Sequence, residues 1–147
     1  MKRLIRWGII IIAAAGPGSA QLTASRGEVT VLLHGFRTDA GQAMVALFKG
    51  EEGFPDDFSR AYKTAIVEIK NYESRAIFTD LPYSTYAVAV IHDENGNGVM
   101  DKNFFKVPIE GTGASHDAGD ALNPPEYRDA SFDLNTKQLT IHVNLRY

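Results

Sequence analysis

Near the C-terminus Ile141, Val143 and Leu145 alternate with Thr140, His142, Asn144 and Arg146. A period of two over that many residues suits a strand with one buried face and fits no helix. The same alternation recurs at Val29, Val31 and Leu33 against Thr30, Leu32 and His34, and at Tyr86, Val88 and Val90 against Ala87, Ala89 and Ile91. Residues 42–48, 65–70, 75–78 and 130–134 read as further strands, with Gly-, Asn- and Asp-rich turns between them. The one helical candidate is 55–64, where Asp56 or Asp57 caps a turn or two. About seven short strands with at most one short helix predict an all-β chain, a two-sheet antiparallel sandwich, with a closed barrel as second choice. The hydrophobic content of 44% is enough to fill such a core.

The first 20 residues read as an address. Lys2, Arg3 and Arg6 precede the apolar run 7–15, and Gly16-Pro17-Gly18 ends it. The run is shorter than the roughly 20 apolar residues a membrane span needs. A basic start, a short apolar middle and small residues at Gly18 and Ala20 predict a signal peptide cut after Ala20. The expected organisation is 1–20 signal peptide, 21–27 a short lead, and 28–147 one domain, exported to the periplasm or the medium. No stable membrane insertion is expected after cleavage.

The chain carries 15 basic and 18 acidic residues, a formal net charge of −3, and loss of Lys2, Arg3 and Arg6 would make the remainder more acidic. Such a balance lacks the basic field that drives nucleic-acid binding and speaks against an anionic membrane surface. It is compatible with binding cations. With no cysteine, thiolate chemistry, disulfides and Cys-ligated metals are excluded.

Residues 93–129 show no convincing element, yet hold Phe104, Phe105, Val107, Ile109, Leu122, Tyr127 and three prolines. Loops this long are usually functional or disordered, and the apolar content predicts one that folds back on the sandwich as a structured loop. Its opening is the sharpest local signal in the chain. Asp93, Asn95, Asn97 and Asp101 fall at positions 1, 3, 5 and 9 of an EF-hand-like loop, Gly98 at position 6, and the Val99 carbonyl at position 7. Alternate oxygens of a tight turn suit a hard divalent cation, so Ca²⁺ is the candidate cofactor. Phe104 stands where that loop has a bidentate glutamate, and only two carboxylates face inward, which places the expected affinity near roughly 10⁻⁴–10⁻³ M. Glu110, Asp117, Asp120, Glu126 or Asp129 are candidates to complete the shell. The alternative is a plain turn in which Asn95-Gly96-Asn97-Gly98 tolerates positive φ and the Asp and Asn side chains bond backbone amides.

The four histidines (34, 92, 116 and 142) show no ligand spacing, and His92 reads as a hydrogen-bonded residue at the end of a buried register. Ser115-His116-Asp117 are merely consecutive, and a triad is a matter of geometry in space. No nucleophile elbow, zinc-protease motif or phosphate-cradling loop is present, and Glu51-Glu52 reads as a solvated turn.

Leu81-Pro82-Tyr83-Ser84-Thr85-Tyr86-Ala87-Val88 resembles the L-P-x-G-x-Y-x-V run of transthyretin-like (prealbumin-like) sandwich modules. Taken with His92-Asp93-Glu94-Asn95-Gly96-Asn97-Gly98 and Asp101, the chain is similar to an uncharacterised family of exported bacterial proteins, the domain of unknown function 2141. Gly41-Gln42, Glu51 to Pro55, Asn103-Phe104, Pro108 with Glu110-Gly111, Gly113 with Ser115, and Pro124-Pro125 extend the likeness over about 28–147. The chain departs from that pattern at Ser84 and Lys106, where glycine is usual or common, and at Ala114, where an aromatic is usual. The resemblance implies an exported, transthyretin-like β-sandwich and supplies no activity or catalytic residues.

Three functions follow. The first is an exported non-enzymatic module holding Ca²⁺ weakly at Asp93, Asn95, Asn97, Val99 and Asp101, with an unknown protein or small molecule as partner and no nucleic acid. The second is a hydrolase or carbohydrate-active domain with its site in the 93–129 loop and His92, Asp93 or Glu110 as acid or base. The third is an interaction module that offers an exposed edge strand.

Overall fold

A computed structural model describes residues 25–120 and 123–147. The expected signal peptide lies outside the described residues. Eight strands are found there: β1 (Arg26–His34), β2 (Gln42–Phe48), β3 (Lys63–Val67), β4 (Glu73–Pro82), β5 (Ser84–Asp93), β6 (Gly111–Ala114), β7 (Phe132–Leu134) and β8 (Gln138–Asn144). One four-residue helix, α1 (Tyr127–Ala130), precedes β7. The protein is an all-β sandwich. One sheet runs β4-β1-β8, the other β3-β2-β5-β6, with β7 paired to the start of β5. All pairs are antiparallel except β1 with β8, which lie parallel with Val31 opposite Ile141.

The alternating residues face one another across the sheets. Val29, Val31 and Leu33 of β1, Val45 and Leu47 of β2, Tyr86 and Val88 of β5, and Val143 of β8 are wholly excluded from solvent. Burying each aliphatic chain contributes about 1.5–3 kcal/mol. The β5 residues from Tyr86 to Asp93 are buried on both faces. Ala87 and Ala89 point out of the sandwich, and a second layer made by Phe54, Phe58, Ala130 and Tyr127 covers the N-terminal half of that outer face.

Three expectations need correction. Residues 55–64 are not a helix: Phe58–Arg60 form a single 3₁₀ turn capped by Asp57, whose carboxylate accepts the Ser59 N–H at 3.1 Å. Beyond it the Tyr62 N–H donates to the Leu47 carbonyl at 2.8 Å, so pairing with β2 captures the chain before a helix can extend. Residues 130–134 divide between the end of α1 and β7. The 93–129 stretch contains β6, which its sequence Gly-Thr-Gly-Ala conceals because glycine weakens strand propensity. Packing demands glycine here. A Cβ on Gly111 would come within 2.5 Å of the Tyr147 ring, and one on Gly113 within 2.7 Å of Val143 Cγ1. The two glycines let β6 close against the end of β8, where Thr112 and Arg146 form a two-residue bridge. Thr112 and Ala114 face the other way.

Candidate functional site

The loop at 93–101 grows from the end of β5. Asp93 is fully buried; its Oδ1 accepts from the Asn97 N–H at 3.0 Å, and its Oδ2 from the Gly98 N–H at 2.9 Å and the Gln42 amide at 2.8 Å. Burial pushes this carboxyl up, but the hydrogen bonds from Gln42, Gly98, Asn97 and Gly96 outweigh it and hold the pKa below the ordinary value. Asn95 Oδ1 accepts the Asn97 N–H and Asn97 Oδ1 accepts the Val99 N–H, both at 3.0 Å. Gly96 and Gly98 take φ of 70° and 79°. These are the bonds of a self-satisfied turn.

Asp101 is placed differently. The Asn95 amide donates to it at 2.5 Å and the Asn97 amide at 3.2 Å, so three of the four expected ligand side chains meet on one side of the loop. Val99 lies exposed beyond them. Among the described residues, no group of three or more His, Asp or Glu side chains is gathered as a metal site. Glu110, a candidate to complete the shell, instead straps the loop closed: its two oxygens accept the Glu94 and Asp101 N–H groups, each at 3.0 Å.

His92 is buried beside this loop. Its Nε2 is 2.8 Å from the Ala40 carbonyl and its Nδ1 2.5 Å from the Tyr147 hydroxyl. A carbonyl only accepts, which assigns the ring proton to Nε2 and leaves Nδ1 to accept from Tyr147. Burial pushes the Tyr147 phenol up, with the Glu94 charge adding to the shift and Arg37 opposing it. Arg37 lies over the Tyr147 ring at 4.5 Å and pairs with Glu94 at 2.7 Å, although that Glu94 oxygen receives no directed hydrogen bond. Both ring nitrogens of His92 are therefore committed, and so are the carboxylates of Asp93 and Glu110.

The sequence did not point to a groove, but the outer face of the second sheet carries one of about 390 Å³. Ala89 and Ile91 of β5 with Thr112 and Ala114 of β6 form its floor; Pro55 and Asp56, Met100 and Lys102, Lys106 to Pro108, and Pro124 and Pro125 form its walls. A recess of about 270 Å³ continues it past Met100 toward Met44 and Phe58. Such a volume and a mostly apolar lining lie in the range of small-molecule sites. Asp117 is held by the Asn144 backbone and amide N–H groups at 3.0 and 2.8 Å, and Asp120 by those of Asn123 at 2.8 and 2.9 Å. Among the described residues, Asp56 is the one groove carboxylate with no such bond.

A family model described as "Uncharacterized protein conserved in bacteria (DUF2141)" matches residues 31–142. The chain belongs to this family. No curated protein and no solved structure matches it. Two of its departures from the DUF2141 pattern have visible settings. Lys106 adopts φ of 61°, the left-handed region that glycine enters freely. Ala114 is buried in the groove floor, where its small side chain leaves the space open.

One pairing escaped the sequence altogether. His34 of β1 and His142 of β8 are 3.2 Å apart, Nε2 to Nδ1, and His34 Nδ1 is 3.2 Å from Glu73. With ring centroids 5.5 Å apart and planes only 10° from parallel, the two imidazoles lie end to end, which is a hydrogen-bonded arrangement. The parallel β1–β8 register brings together residues 108 positions apart, and no local spacing signals that.

Proposed function

We propose that this chain is an exported, non-enzymatic module that binds a small apolar or amphiphilic molecule in the groove over β5 and β6. One observation carries the reading. The groove has ligand-sized volume and an apolar floor, while Glu110, Asp117 and Asp120 on its walls are held by amide donors, which leaves Asp56 as the one uncommitted groove carboxylate among the described residues and no second carboxylate to pair with it. The basic start, short apolar run and small residues at 1–20 support export. Titration with the fluorescent probe N-phenyl-1-naphthylamine tests the groove. Wild type should bind, and Thr112→Trp, which fills the floor, should bind at least about tenfold more weakly while melting normally. Equal binding by the two proteins, or none by wild type, would overturn the reading.

A second reading, weak Ca²⁺ binding at Asp93, Asn95, Asn97, the Val99 carbonyl and Asp101, is supported by the convergence of Asn95 and Asn97 on Asp101. Turning either amide to present its oxygen breaks its bond to the Asn97 or Val99 N–H, so affinity is low. Stability should rise by about 1.4 kcal/mol when Ca²⁺ reaches ten times its Kd. The increment should vanish in Asp101→Asn, which leaves the buried Asp93 network intact. No rise at several millimolar Ca²⁺ removes the cation.

A further inference from the structure

We propose that the hairpin carrying Phe104 and Phe105 is a docking tip that seats this protein on an anionic phospholipid surface. Lys102 pairs with Pro108, Asn103 and Val107 are joined by an N–H···O bond of 2.9 Å, and the Lys106 N–H returns to the Asn103 carbonyl at 2.9 Å. The Asn103 side-chain oxygen accepts the Phe105 and Val107 N–H groups at 2.9 and 3.1 Å. The turn thus satisfies its own backbone and holds its two apex rings away from the body. Phe104 is 94% exposed and Phe105 80%, and they pack edge to face at 5.6 Å. Ten large apolar or aromatic side chains are exposed among the described residues, and five of them fall between 99 and 109. Such a concentration marks an interaction surface.

Charge and shape choose the occupant. Lys102 and Lys106 bracket the two rings in sequence, are exposed, and make no side-chain hydrogen bond or ion pair among the described residues. Aromatic rings at headgroup depth, with ammonium groups beside them reaching phosphate, form the pattern of a membrane-interface anchor. A protein partner would need roughly 800 Å² of complementary surface per side, more than a convex turn of a few residues offers. The acidic balance of the whole chain speaks against such a surface at long range, but screening limits exposed charges to about 10 Å in 0.1 M salt, so the lysines at the tip govern the contact. The acid nearest the tip in sequence, Asp101, has its carboxylate turned toward the Asn95 and Asn97 amides, which donate to it. The same hairpin supplies one wall of the groove, but the proposal rests on its apex rings, so Thr112→Trp should leave vesicle binding unaffected.

The test uses the full chain with vesicles of phosphatidylcholine alone or mixed equally with phosphatidylglycerol. Wild type should partition onto the mixed vesicles more strongly. The double variant Phe104→Ser, Phe105→Ser should lose at least about tenfold, and Lys102→Gln or Lys106→Gly about fivefold each, less at high salt. Because the chain has no cysteine, Val107→Cys accepts a single NBD label, whose emission should rise on mixed vesicles while a label at Glu51→Cys stays silent. The apolar 7–15 run is common to every variant, so the differences between them report the hairpin. Equal binding to both vesicle types, full retention by the serine variant, or an unresponsive NBD label overturns the proposal. So does a wild type that ignores vesicles and dimerises through the tip.

Discussion

Asp93 is a buried anion kept charged by amide donors, and that arrangement has a pH signature. Its folded pKa lies below the ordinary 3.8, so its stabilising contribution is complete above that value. It is lost as pH falls through the lower, folded value. Asp93→Asn should therefore destabilise at pH 7 by about 1–3 kcal/mol, since it replaces an acceptor of several N–H groups with an amide. The gap between the two proteins should close as the pH drops below 3.8, measured by urea unfolding. A gap independent of pH would show that the charge is not what the turn uses. The sequence alone pointed to Asp93, Asn95 and Asn97, because Asx bonds to backbone two to five residues ahead are local. It could not reveal that Glu110 straps the loop, or that Tyr147 holds His92 from 55 positions away.

At the scale of elements, period-two burial was readable wherever one face is buried, as in β1 and β8. It failed where tertiary contacts override local preference. Residues 55–64 offer a helix cap at Asp56 or Asp57, but Phe58 and the preceding Phe54 pack edge-on against Phe48, at 6.3 and 5.3 Å, over a mostly irregular segment. The tight turn between β3 and β4 likewise puts Asn71 and Tyr72 at φ of 55° and 64°, with both N–H groups held by Asp39 from a different loop. β6 exists because glycine permits close approach to β8. Gly113→Val should thus cost about 1–3 kcal/mol through overpacking against Val143. Thr112→Val, one residue away and facing the groove, should change stability by less than about 0.5 kcal/mol. Similar melting temperatures for the two variants would contradict this account of β6.

For the molecule as a whole, two sheets enclose one core, and the outer face of the second sheet is only half covered. Phe54, Phe58 and Tyr127 close one end. The other end stays open above Ala89, Ile91, Thr112 and Ala114, with Met100, Lys102 and the returning segment from Lys106 to Pro108 as one wall. Sequence patterning identified the long 93–129 stretch as the place to look but not its groove, which arises from how β6 and the prolines at 108, 124 and 125 are laid over the sheet. The measurement that bears most directly on the groove is an amide chemical-shift map recorded while N-phenyl-1-naphthylamine is added. Shifts should centre on residues 89–91 and 112–114 and fade toward the turn at 71–72. Shifts absent from that floor, or confined to the hairpin apex, would contradict the groove reading.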